Sequence, residues 1–120
     1  MALSHELYFL VSHPSSAVPA ETALCRVKVS DTPVSDPVMA FTSEGLGNQL
    51  ITGNRLEAYC SLLALSDMTP SQIHALKNQN VLLFAQSEQV AQYLQNREKF
   101  NFSSCILPFE NIARANQNAL

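Results

Sequence analysis

Val38-Met39-Ala40-Phe41-Thr42-Ser43-Glu44-Gly45-Leu46-Gly47-Asn48-Gln49-Leu50 is answered later in the chain by Val81-Leu82-Leu83-Phe84-Ala85-Gln86-Ser87-Glu88-Gln89-Val90-Ala91-Gln92-Tyr93-Leu94. Each stretch is a short apolar run ending at Phe, then Ser-Glu, then an apolar residue, a small residue, an amide and a Leu at helical spacing. The second copy carries one extra residue in its turn. The apolar runs lack polar alternation, which is the pattern of strands covered on both faces. Ser43 and Ser87 are read as N-caps, each followed by a carboxylate in the first helical turn, where the helix dipole favours it. Two strand-to-helix units of this kind predict an α/β domain.

Working outward, Leu7–Val11 reads as a further buried strand, stopped by His13-Pro14-Ser15-Ser16. From Ala23 to Ser30 the residues alternate. Cys25, Val27 and Val29 fall on one face and Arg26, Lys28 and Ser30 on the other, as in a strand with one wet face. Asp31 to Pro37 is a loop rich in Pro and Asp. Gly53-Asn54 supplies the stop of the first helix. Leu56, Tyr59, Cys60 and Leu63 lie at i, i+3, i+4 and i+7, which predicts a helix to about Leu65, with a strand over Tyr59–Leu65 as the competing reading. Thr69-Pro70 opens a short helix, Thr as cap and Pro in the first turn. Cys105-Ile106-Leu107 is a last strand that Pro108 confines to an edge. A final turn, Glu110–Arg114, precedes a polar tail, residues 115–120, expected to fray.

The element order is β-β-β-α-α-α-β-α-β-α. It predicts one domain over residues 1–120, α/β or α+β, built on a mixed sheet of about five strands. The sheet is expected to be parallel in its C-terminal half, where Val81 to Leu107 is long enough for a strand–helix–strand crossover, with an antiparallel pair at the N-terminus and helices on one or both faces.

Composition excludes several functions. Net charge is −3, and the seven Lys and Arg residues are never adjacent. Neutralising phosphates requires a basic patch, so neither nucleic acid nor an anionic membrane is an expected partner. No apolar run approaches the ~20 residues of a membrane helix. The N-terminus lacks a basic flank and a signal-peptide core, and the chain is read as cytoplasmic. Charged residues make up only 14% of the chain, against roughly 25% in ordinary domains, so Ser, Asn and Gln must form much of the surface. Such a surface loses less solvation on contact, which favours a protein partner or self-association.

No convergent catalytic set is visible, and the protein is read as not an enzyme. Cys25, Cys60 and Cys105 form no short-range pair and sit in apolar runs, where a thiol behaves as a small hydrophobe. No His or Cys ligands share a helical turn, so neither a metal nor a cofactor is expected. Asp31, Asp36 and Glu44 lack the spacing of a calcium loop. Gly45-x-Gly47 follows a strand as a dinucleotide fingerprint would. Leu50, however, stands where the third glycine belongs, and Glu44 puts a negative charge where a phosphate would bind. The simpler reading is that the glycines permit close packing of helix on sheet.

Two functional expectations follow. The first is a non-catalytic protein-interaction or regulatory domain, with homodimerisation as one form, in which Phe100, Phe102 and Phe109 anchor the partner from a loop. The alternative is a domain binding a small molecule, an anion or a nucleotide, or a minor enzyme. Its crevice would lie at the C-terminal ends of strands 38–42 and 81–85, with Ser43, Gly45, Gly47 and Ser87 as ligand-binding residues.

Overall fold

The computed structural model describes residues 7–12, 23–27 and 36–112. They form strands β1 (Tyr8–Ser12), β2 (Ala23–Leu24), β3 (Val38–Phe41), β4 (Cys60–Ala64), β5 (Asn80–Phe84) and β6 (Ile106–Pro108), and helices α1 (Glu44–Gly53), α2 (Pro70–Leu76) and α3 (Ser87–Gln95). Short 3-10 turns cover Leu65–Asp67 and Phe102–Ser104, and a helical turn begins at 109–112. The expected linker after β1, the 28–35 part of the second strand and its loop, and the tail 115–120 lie outside the described residues.

The strands make one mixed sheet. β3 and β5 are parallel neighbours, in the register Val38↔Val81 to Phe41↔Phe84. This is the alignment of the sequence repeat, so each copy is one strand–helix unit and the two units lie side by side. β1 runs antiparallel to β4 along its whole length on one flank. On the other flank β1 pairs with β3 at Tyr8–Phe9 and with β2 at Val11–Ser12. Cys25 sits where these chains converge: its N–H donates to Leu10 O and its carbonyl accepts from Met39 N–H.

The core strands are apolar on both faces because both are covered. Leu10, Met39, Phe41, Leu82 and Phe84 point to the side of α1 and α3. Phe9, Val38, Ala40 and Val81 point to the side of Leu76, Phe109 and Ile112. Phe41 and Phe84 are fully buried and stack with centroids 5.5 Å apart. Burial stabilises each ring by about 1.5–3 kcal/mol, and the pair adds about 0.5–1.5 kcal/mol. Gly47 and Gly53 set the depth of α1. A Cβ on Gly47 would stand 2.5 Å from the Leu62 methyls, and one on Gly53 2.5 Å from a Leu94 methyl. Close packing is thus what these two glycines serve.

Three local expectations are corrected. The residues expected to form a helix from Leu56 to Leu65 form a turn and strand β4 instead. Tyr59 and Cys60 N–H both bond Leu56 O, and Tyr59 faces solvent at 65% exposure, not a helical core stripe. A strand wins here because it satisfies the whole flank of β1, whose own residues are covered on both faces. Next, β6 runs antiparallel to β5, not parallel by a crossover. After α3, Phe100 packs on Phe84 and Tyr93, at 5.8 and 5.6 Å between centroids. This draws the chain back toward the C-terminal end of β5, and β6 then descends along it. Third, Ser87 is the first helical residue of α3 and Gln86 is its N-cap. Gln89 Oε1 accepts from Ala85 and Gln86 N–H at 2.8 and 3.0 Å, the reciprocal half of a Gln86–Gln89 capping box that stands where a serine cap was expected.

Candidate functional site

The C-terminal ends of β3 and β5 lie together, so the N-termini of α1 and α3 share one end of the sheet. Ser43 caps α1, its Oγ accepting from Leu46 N–H at 3.3 Å. Gly45 is exposed and open, whereas Gly47 is buried against Leu62. Ser87 Oγ donates to Gln49 Oε1 at 2.9 Å, and Gln49 Nε2 donates back to Ser87 O at 3.2 Å. Of the four residues expected to bind a ligand, Ser43 and Ser87 therefore spend their hydroxyls on intramolecular bonds, and Gly47 serves packing. The amides that would meet an anion at α3 are preceded by two N–H groups already held by Gln89.

An open crevice of about 350 Å³ lies on the other side of α1, between that helix and β4. Glu44, Asn48, Ile51 and Thr52 line it from the helix, and Glu57, Cys60, Ser61 and Leu62 from the strand side. Two carboxylates with no basic residue in this lining disfavour an anion.

The expected aromatic anchors are distributed differently. Phe109 is buried at 4% exposure and packs on Phe9, with centroids 6.3 Å apart, so a partner cannot reach it without opening the core. Phe100 and Phe102 are half-buried and join Phe84 and Tyr93 in a cluster of edge-on and tilted rings. Arg97 stacks 5.3 Å over the Tyr93 ring and bonds Asn54 Oδ1. Burial raises the Tyr93 phenol above its ordinary 10.0, and the Arg97 charge opposes part of that rise.

The sheet edges differ. β6 is short and ends in Pro108, a protected edge. β4 is five residues long, contains neither Pro nor a charge, and pairs only with β1 among the described residues. Leu65 N–H donates to Leu7 O at 2.8 Å. Antiparallel bonding alternates, so Ser61 and Leu63 also turn their backbone groups toward β1, and Leu62 and Ala64 turn theirs outward. Exposed Tyr59 stands at the start of this edge. Sequence reading gave this edge no role, because the strand over Tyr59–Leu65 was the competing reading and the helix the leading one.

Two thiols also share one face of the sheet. Cys25 and Cys60 flank β1 on opposite sides, Cys25 N–H on Leu10 O and Cys60 opposite Ser12. Burial first, and then Cys60, push the Cys25 thiol from 9.0 to about 11, while Ser12 opposes the rise. No short-range spacing announces this pair, since β-sheet register brings it together. Among the described residues no three His, Cys, Asp or Glu side chains cluster as metal ligands, and no helix is long and apolar enough to cross a membrane.

No protein-family model, curated protein or solved structure matches the chain.

Proposed function

We propose that the chain is a non-catalytic interaction domain that pairs with a second copy of itself along the outer edge of β4. The observation that carries this reading is the unprotected edge: Cys60–Ala64, uncharged, with the backbone groups of Leu62 and Ala64 directed outward. An edge of this kind is a template for strand addition. A second copy fits because two identical uncharged edges run antiparallel across a two-fold axis, each supplying donors to the other's acceptors. The weakly charged, amide-rich surface opposes such pairing little. The cytoplasm suits three cysteines that are all free.

The small-ligand reading has less support. Ser43 and Ser87 bond within the fold, and the neighbouring crevice is lined by Glu44 and Glu57.

The test is size-exclusion chromatography with light scattering over a broad concentration range, for the wild type and Ala64→Pro. Ala64 has φ −68° and follows a strand residue, so proline fits the backbone and removes only an outward N–H. The wild type is expected to dimerise and Ala64→Pro to remain a folded monomer. A wild type that stays monomeric throughout, or a variant that dimerises as well as the wild type, overturns the reading.

A further inference from the structure

The crevice beside α1 opens toward the same edge that β4 presents for pairing. α1 and β4 run in opposite directions. A Cβ on Gly47 would meet Leu62, while Ile51 O accepts from Leu56 N–H and Leu56 O accepts from Cys60 N–H. The end of the helix therefore lies by the start of the strand, and Glu44 stands toward the Ala64 end of the crevice. Glu57 precedes Cys60 and stands at the other end. Gln49 and Gly53 turn toward α3, at Ser87 and Leu94. Glu44, Asn48 and Thr52 recur every four residues on the other side of the helix and line the crevice. Both glutamates are exposed, and no basic residue belongs to the lining. On a chain with few charges this is a local concentration of one sign.

Two identical edges that pair antiparallel are related by a two-fold axis normal to the sheet. Both copies of α1 then lie on one face, and the two crevices face each other across the axis. Antiparallel pairing also sets the Ala64 end of one strand beside the Cys60 end of the other. Each Glu44 is thereby placed toward Glu57 of the second copy, and a shift of register by one residue leaves that arrangement intact. Paired strands lie about 4.8 Å apart, so the four carboxylates of the joined trough fall inside the Debye length of dilute buffer, about 30 Å at about 0.01 M salt.

We propose, on the β4 pairing above, that this trough makes self-association a function of ionic strength: Glu44 and Glu57 of the two copies repel one another and hold the pairing weak in dilute salt, and screening releases it as salt rises. The brake needs no carboxylate contact, because unscreened repulsion acts over the Debye length. It also gives a bare, proline-free strand the charged neighbours that commonly guard exposed edges.

The test is the dimer dissociation constant by sedimentation equilibrium at about 0.01 M and about 0.15 M monovalent salt, between which the Debye length falls from about 30 to about 8 Å. The wild type is expected to pair roughly fivefold more tightly at the higher salt. The double variant Glu44→Gln, Glu57→Gln should pair at low salt as tightly as the wild type does at the higher salt, and should lose most of the salt dependence. Glu98→Gln removes the same charge beyond α3 and outside the crevice, and should keep the wild-type dependence. Circular dichroism checks the fold of each variant, and the two single substitutions repeat the measurement if the double variant unfolds. A wild type that dimerises with one constant at both salts overturns the brake and leaves the edge pairing standing. So does a Glu98 variant that loses the salt dependence as fully as the double variant. A wild type that stays monomeric at both salts overturns the pairing and the brake together.

Discussion

Gln49 and Ser87 exchange two hydrogen bonds across the ends of the parallel strands: the serine hydroxyl donates to the amide oxygen, and the amide nitrogen donates to the serine carbonyl. The bonds tie α1 to α3 at the place where open α/β sheets ordinarily receive ligands. At the other end of the two helices Arg97 reaches Asn54, and between these ties Gly53 lets α1 approach Leu94. The two repeat units are thus joined by side chains as well as by β3–β5 pairing.

Removing one partner of the Gln49–Ser87 clasp should have a modest, coupled effect. Both groups are accessible to water, so Gln49→Ala and Ser87→Ala should each cost about 0.5–1.5 kcal/mol. The double variant should lose less than their sum by about 0.5–1 kcal/mol. Urea unfolding of the four proteins measures this; strict additivity would mean the clasp carries no energy.

The glycines of α1 should separate by environment. An added Cβ at Gly45 meets only Ser43 Oγ, at 3.9 Å. Gly45→Ala should therefore stabilise by up to about 1 kcal/mol. Gly47→Val drives side-chain atoms into Leu62 and should cost about 1–3 kcal/mol through overpacking, despite its better helix propensity. Thermal melts check both signs.

Arg55 is the described non-glycine residue with positive φ, at 56°. It follows the C-cap Asn54, with its N–H on Thr52 O and Leu56 N–H on Ile51 O. This is the Schellman arrangement, whose left-handed position glycine fills at lower cost. Relief of that strain outweighs the greater freedom glycine gains in the unfolded chain, so Arg55→Gly should stabilise by about 0.5–1 kcal/mol in urea unfolding. A loss of stability would assign Arg55 a contact that outweighs its backbone strain.

What was legible in the sequence was local or repeated. Val38–Phe41 and Val81–Phe84 aligned in sequence in the same register they adopt as neighbouring strands, because each copy must bury the same alternate residues. Ser43 and Thr69 were legible as caps because short hydroxyl side chains reach the first-turn amides. Residues 60–64 were legible as a strand only through the competing reading of Tyr59–Leu65, not the leading one. Both of their faces are covered, so Leu62 and Leu63 are apolar in succession and leave no period of two to detect. Gln86 escaped notice because the serine beside it is the commoner cap. That Cys25 and Cys60 share one face of the sheet is set by the register of β4 and of the 23–25 segment against β1, which no spacing along the chain encodes.

Alkaline pH should destabilise the protein in two steps. The Cys25 thiol is raised from 9.0 to about 11, and the Tyr93 phenol is raised above 10.0, each chiefly by burial. In both cases the folded state holds its proton longer than the unfolded chain. The native protein therefore binds more protons than the unfolded chain in this range, and stability falls as pH rises. The contribution of Cys25 is intact below about pH 9 and is lost toward about pH 11. That of Tyr93 is intact below 10.0 and is lost as pH rises through its higher folded value. Tyr93→Phe keeps the ring beside Phe84, Phe100 and Phe102. It should flatten the decline only above pH 10, whereas Cys25→Ser should flatten the portion that starts near pH 9. Denaturant unfolding of the reduced proteins, followed at stepped pH, distinguishes the two. Identical profiles for wild type and both variants would assign alkaline unfolding to other groups.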